Sequence, residues 1–169
     1  MTTLDRHTTA ATAPQAASGG ALSRIHVRAG EGQRYPMIDG DHVVKAAVDD
    51  TEGAFEVFEV IAPAKPMAPL HVSPWTGVLY LLEGRVTAVV GDTAYEVEPG
   101  GVVVVPAGTP SSFEVLGDSA RIVAITSGSR AGRFFADFAS SVPVDRPVEE
   151  SLEAILSITQ RHGVRLADR

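Results

Sequence analysis

The chain has 169 residues, 44% of them hydrophobic, with 21 acidic against 14 basic side chains and a formal net charge of -7. That size and apolar content suit one soluble globular domain with tails, and the acidic balance, with no Lys/Arg cluster against it, argues against nucleic acid as a partner. Cysteine is absent, which excludes disulfides, thiolate metal ligands, iron–sulfur clusters and cysteine nucleophiles, and leaves five histidines and the carboxylates as the strong ligands.

Residues 1–20 are Thr, Ala, Ser and Gly with almost no large apolar side chains, a composition that cannot offset chain entropy by burial, so a disordered tail is expected there. Asp5, Arg6 and His7 stand where a secretory signal would need an apolar core. No later run is long enough to span a membrane, and a cytoplasmic location is the expectation.

From 21 to 128 the pattern changes to short β-rich runs punctuated by Gly, Pro and Asp: HVVKAAV, AFEVFEVIA, GVLYLL, RVTAVVG, AYEVE, GVVVVP, SFEVL and RIVAIT. No helix-length segment separates them, so an antiparallel sandwich or barrel is predicted, not a parallel sheet. Glu83-Gly84 and Gly91-Asp92 supply the glycines that tight hairpins need, which predicts a three-strand meander through GVLYLL, RVTAVV and TAYEVE.

From 129 to 169 the period becomes helical. Phe134, Phe135 and Phe138 recur at i, i+1 and i+4, and Val148, Leu152, Ile155, Leu156 and Thr159 form one stripe of a second helix. Pro147 suits its first turn, Glu149 and Glu150 suit the positive end of its dipole, and Gly163 suits its stop. Both helices are expected to pack outside the barrel and cover apolar sheet surface.

Two stretches carry the chemistry: PLHVSPWTGVLYLLEG from Pro69 and GGVVVVPAGTPSSFEV from Gly100. Together they resemble the two signature motifs of the cupin superfamily. The first family motif runs His, one residue, His, three or four residues, Glu, six residues, Gly; here those positions read His71, Ser73, Gly77 and Gly84. The second runs Gly, five residues, Pro, one residue, Gly, two residues, His; here Gly100, Pro106 and Gly108 match and Ser111 replaces the histidine. The frame is intact and three of four metal ligands are absent. The segment leading into the first motif, SARIVAITSG, GRFFADFASSVP and the terminal ITQRHGVRL resemble small single-domain cupins related to bacterial quercetin dioxygenases. The resemblance implies a mainly β fold, a small antiparallel jelly-roll barrel with two C-terminal helices outside, and a homodimer.

A dioxygenase of that type needs a divalent metal held by imidazoles and a carboxylate, and one histidine with two serines and a glycine does not supply that set. A relocated site from His42, His71 and Glu59 is the remaining route to a metal, so no metal and no cofactor are expected. Strand alternation places His71, Ser73, Trp75, Gly77, Leu79 and Leu81 on one face, joined by Ser111 and Phe113 from the second motif, around a mostly apolar interior. His42 on a neighbouring strand and one of Glu56 and Glu59, with Glu59 the more informative if buried, complete the candidate set; Tyr80 and Arg121 are expected outward. Such a pocket suits a hydrophobic or aromatic small molecule, with Trp75 and Phe113 as flat walls and His71 as the group able to move a proton near neutrality.

Three functions follow. The first is a metal-independent enzyme for a non-redox cyclisation, isomerisation or dehydration of a polyketide-like secondary metabolite, with His71 catalytic and Ser73 or Ser111 holding an oxygen. The second is a protein that binds such a ligand without altering it. The third is a quercetinase-like dioxygenase with an atypical metal site. In each, the bland reading stands beside the sharp one: His71 as a hydrogen-bonded remnant, Trp75 as a core residue at the barrel mouth, the serines as small replacements.

Overall fold

The computed structural model describes residues 26–167. The tail expected over 1–20, with His7, lies outside the described residues. Among the described residues eleven strands and two α-helices occur in the order β1 (Arg34–Met37), β2 (Gly40–Ala46), β3 (Phe55–Pro63), β4 (His71–Val72), β5 (Gly77–Glu83), β6 (Val86–Val90), β7 (Thr93–Val97), β8 (Val102–Val105), β9 (Pro110–Val115), β10 (Ser119–Ser127), α1 (Arg130–Ser141), α2 (Leu152–His162) and β11 (Arg165–Leu166). All eight predicted β runs are strands. The three that sequence pattern does not announce, β1, β4 and β11, are short.

The strands form two antiparallel sheets, one ordered β1-β2-β3-β10-β5-β8 and the other β11-β4-β9-β6-β7. The alternation in β3 is legible as burial: Glu56, Phe58, Val60 and Ala62 face inward while Phe55, Val57, Glu59 and Ile61 face out. β10 behaves likewise, with Ala120, Ile122, Ala124 and Thr126 inward. Leu81 and Val103 of the same sheet, with Val86, Ala88, Val97 and Val115 of the other, complete one continuous core. The fold is thus mainly β, a two-sheet jelly roll with two C-terminal helices outside, as the resemblance implies.

The predicted meander is corrected. β6 and β7 pair through the Gly91 turn as expected, but β5 pairs with β10 and β8, and β6 pairs with β9 and β7. Gly84 therefore marks a corner where the chain leaves one sheet and enters the other. A turn glycine permits both outcomes, and the choice rests on which partners bury the apolar faces.

Helix α1 is held by a device its own sequence lacks. Ser129, its N-cap, makes no side-chain cap hydrogen bond, and Glu56 from β3 does that work instead: the Gly132 N–H donates to Glu56 Oε2 at 3.0 Å. Burial pushes the Glu56 carboxyl above the ordinary value of 4.5, against the Gly132 and Thr126 hydrogen bonds that lower it. The linkage sign follows. A raised folded-state pKa means this group contributes most at low pH, and stability falls as pH rises from the unfolded value through the folded one, staying lower above it. Glu56→Gln, which keeps an acceptor for Gly132, is therefore expected to gain stability over the native protein above that window and to match it near pH 4. Urea unfolding at a series of pH values checks this; an equal difference at every pH would remove the assignment.

Helix α2 departs from its predicted face. Ile158 is buried, with Ala154 and Ile155 partly so, whereas Leu152 and Leu156 are 51% and 60% exposed. A 3-10 turn, Val148–Ser151, precedes the helix, and Val148, Leu152, Ile155 and Thr159 of the predicted stripe line a groove instead of the core. Beyond α2, Gly163 adopts φ 70°, the left-handed stop expected of it. That reversal lets β11 pair with β4, Leu166 opposite His71.

Candidate functional site

A cavity of about 140 Å³ occupies the barrel interior, and its walls include His71, Ser73, Trp75, Gly77, Leu79, Ser111, Phe113 and His42. Eight of the candidate residues are thus brought together from β2, β4, β5, β9 and the turn between β4 and β5. Register explains the convergence: His71 stands opposite Ser111 across the β4/β9 pair, and His42 opposite Val60 across β2/β3.

Two candidates stand elsewhere. Glu59 points to the outer face of β3, where Arg121 Nη2 donates to its Oε1 at 2.6 Å and Lys45 Nζ approaches Oε2 at 3.1 Å. These cations hold its carboxyl below the usual range, with the Arg121 hydrogen bonds the leading cause. The expectation that Glu59 is a pocket residue is therefore corrected: parity with Phe55 and Ile61 turns it away, and the inward carboxylate is Glu56. Leu81 is fully buried in the barrel base, at a void of about 10 Å³ shared with Leu79, Val86 and Ile122. It is core, not cavity wall. Tyr80 is exposed and Arg121 half-exposed, both outward as expected.

The helical phenylalanines contribute more than the sequence reading gave them. Phe134 and Phe135 both line the cavity. Phe135 lies 4.5 Å from the His42 ring and edge-on to Phe58 at 5.1 Å, and Phe134 lies 5.8 Å from Trp75 between ring centroids. Helix α1 therefore closes the barrel mouth with an aromatic cluster. A signal was present in the adjacency itself, because neighbouring residues on a helix point about 100° apart and two large aromatics in succession seek two surfaces. Asp39 and Thr126, which also line the cavity, carried no pattern that singled them out.

The polar groups are few. His71 Nδ1 lies 3.3 Å from the Pro69 carbonyl; an oxygen that only accepts requires Nδ1 to carry the proton, which leaves Nε2 as the basic nitrogen. His42 is buried, and its Nδ1 has no hydrogen-bond partner; the Asp39 carboxylate stands 3.9 Å away, beyond hydrogen-bond distance but within ion-pair reach of a protonated ring. At Gly77, where the family motif has a carboxylate, an added Cβ would meet nothing within 4 Å. The place of the ligand is open chamber.

Cupins of the metal-dependent kind need several clustered donors. Among the described residues no group of three or more His, Cys, Asp or Glu side chains is placed to hold a metal ion. That donor set does not fit a resident metal. No helix among the described residues is long and apolar enough to cross a membrane.

Comparison with known proteins agrees with this geometry. Residues 57–126 match the family model of the cupin domain. No curated protein sequence matches the chain. Among solved structures, the polyketide cyclase RemF from Streptomyces resistomycificus is 22% identical, with a TM-score of 0.52 over 60% of this chain and 77% of its own. An RmlC-like cupin from Shewanella frigidimarina is 12% identical, with a TM-score of 0.56 over 66% of this chain and 96% of its own. Ectoine synthase from P. lautus is 15% identical, with a TM-score of 0.53 over 60% of this chain and 72% of its own. At these identities the likeness is one of fold. The motif frame falls within the residues that match the cupin domain, 57–126, and the two-sheet barrel around it has the fold of these structures.

Proposed function

We propose that the barrel is a reaction chamber for a non-redox cyclisation, isomerisation or dehydration of a hydrophobic, polyketide-like metabolite, carried out without a metal. The observation that carries this reading is the His71 imidazole in the wall of a mostly apolar cavity, its Nδ1 tied to a carbonyl so that Nε2 is the free base. In that role Nε2 removes a proton next to a substrate carbonyl. The developing enolate oxygen takes hydrogen bonds from the Ser73 or Ser111 hydroxyl; the enolate carbon then adds to a second carbonyl of the same chain, whose oxygen takes the proton back from the imidazolium, or the proton returns at the far carbon of a conjugated enolate. In the dehydrating variant, the protonated imidazole gives its proton to the departing hydroxyl. Trp75, Phe113, Phe134 and Phe135 supply flat walls that hold a flexible chain in one conformation. By its name, the polyketide cyclase among the structural neighbours does chemistry of this class on a barrel of the same fold.

The test reads proton abstraction directly. In D2O, the native protein is expected to accelerate exchange of the α-hydrogens of butyrophenone, followed by NMR, and His71→Ala to slow that exchange by about 10²-fold or more. Binding, followed through Trp75, the sole tryptophan, is expected to survive the substitution. Exchange unaffected by loss of the imidazole would end the catalytic reading; binding with no exchange by the native protein would favour a carrier or sensor. A homodimer belongs to the same reading, supported by the edge strand β8, which turns Val102 and Val104 to solvent.

A further inference from the structure

A second cavity adjoins the one in the barrel. About 410 Å³ of space lies between α2, β11, the segment 63–70 and the barrel mouth, walled chiefly by apolar side chains such as Met37, Pro66, Val148, Leu152, Ile155 and Leu166. The two cavities share Asp39, His42, His71, Phe113, Phe134 and Phe135. They are therefore neighbouring compartments, with both imidazoles in the wall they share.

Size separates their tasks. A dry apolar cavity of about 150 Å³ takes one benzene-sized molecule, so the inner compartment of about 140 Å³ holds one ring and no more. Sites for larger molecules run to about 300–1,000 Å³, and the outer compartment falls in that range. In the shared wall, the His42 side chain is only 8% exposed, and its Nδ1 lacks a hydrogen-bond partner. A buried polar atom without a partner costs free energy that a ligand's polar group would relieve. Phe135 covers one face of the ring, and the Asp39 carboxylate, at 3.9 Å, is within ion-pair reach of a protonated ring but beyond hydrogen-bond distance.

We infer that the two compartments form one bipartite site for an extended aryl or polyenyl ketone, with a single-ring head inside the barrel, the carbonyl at His42 and His71, and an apolar body in the groove of α2 and β11. The inference rests on the reading of the barrel as a ligand chamber and adds the class of molecule it takes. It also explains why Leu152 and Leu166 stay exposed at 51% and 61%: they form the wall against which the body of the ligand packs.

The test is a homologous series of acetophenone, butyrophenone and octanophenone, bound to the full chain and followed through Trp75. From acetophenone to octanophenone the Kd is expected to fall at least tenfold. In the Leu152→Asp/Leu166→Asp variant that gain should shrink below threefold while acetophenone binds as before. Both positions are exposed, so the charges leave the fold in place; should α2 loosen, seen as lost ellipticity, Leu152→Ser/Leu166→Ser is expected to give the same ordering at smaller size. His42→Phe should weaken butyrophenone several-fold and leave pentylbenzene, which has no carbonyl, unchanged. A chain-length gain equal in native and variant proteins, or no binding of octanophenone, overturns the inference. So does a subunit contact on this face, seen as a dimer that the aspartates split with no change in ketone affinity. The readout is binding alone, so loss of α-hydrogen exchange with chain-length dependence intact would strike only the catalytic reading, and the converse only this one.

Discussion

Gly84→Ala is expected to lower stability by about 2–5 kcal/mol, which for a protein with about 5–15 kcal/mol in total brings much of the population near unfolding. Two terms add. Gly84 has φ 83°, where a β-carbon costs about 1–2 kcal/mol. That carbon would also stand 2.3 Å from the Ser119 carbonyl oxygen and 2.9 Å from the Ala120 Cα. The obstruction is backbone, part of the β3/β10 pairing at the centre of the first sheet, and overpacking of such a place costs about 1–3 kcal/mol more. Gly91 supplies the control, because it also has positive φ, 60°, but an added Cβ there meets nothing within 4 Å. Urea unfolding of both variants separates the terms: Gly91→Ala should lose about 1 kcal/mol, the conformational part alone. Equal losses at the two positions would mean that the close approach at the sheet corner has no energetic weight.

Phe58→Ala is the second large effect. Phe58 is 1% exposed, so its removal costs the transfer of the ring plus the cavity it leaves, about 3–5 kcal/mol. In a chain of this length that corresponds to a fall in Tm of about 6–20 °C. Phe58 also meets Phe135 edge-on, and Phe135 is the ring that closes the barrel mouth over His42. The variant should therefore lose stability and, at temperatures where it is still folded, weaken butyrophenone binding as α1 loses its seat. Phe58→Leu restores most of the volume, and recovery of stability without recovery of binding would show that the aromatic edge contact positions the helix. Calorimetry and the Trp75 titration read the two effects separately. Retained stability in Phe58→Ala would contradict the packing described.

The chemistry at the inward carboxylate also separates cleanly from that at the outward one. Glu56 and Glu59 are three residues apart on one strand, so one faces the barrel and the other the solvent side. Alternation alone requires that division but is silent on which is which. The decision falls to Arg121 and Lys45, whose charges on the outer face draw Glu59, and to the N-terminus of α1, whose Gly132 N–H draws Glu56. Gly132 is part of that fit, since an added Cβ would stand 2.4 Å from Glu56 Oε1.

Much was determined by the sequence by itself. β-branched runs between turn residues point to a sandwich or barrel of short antiparallel strands, and the glycine–proline frame from His71 to Ser111 carries the resemblance to the cupin barrel. Period-2 alternation places His71, Ser73, Gly77, Leu79, Ser111 and Phe113 on inward faces, and all six line the cavity. Tertiary structure alone decided the rest. It sent the chain across sheets at Gly84, turned Glu59 outward, and sank Leu81 below the chamber. It also drew Phe134 and Phe135 into the mouth and left Leu152 facing a groove. Each of these outcomes depends on partners more than 30 residues distant, and local pattern contains no term for them: a strand's periodicity says which residues share a face, and only the packing of the whole says what that face meets.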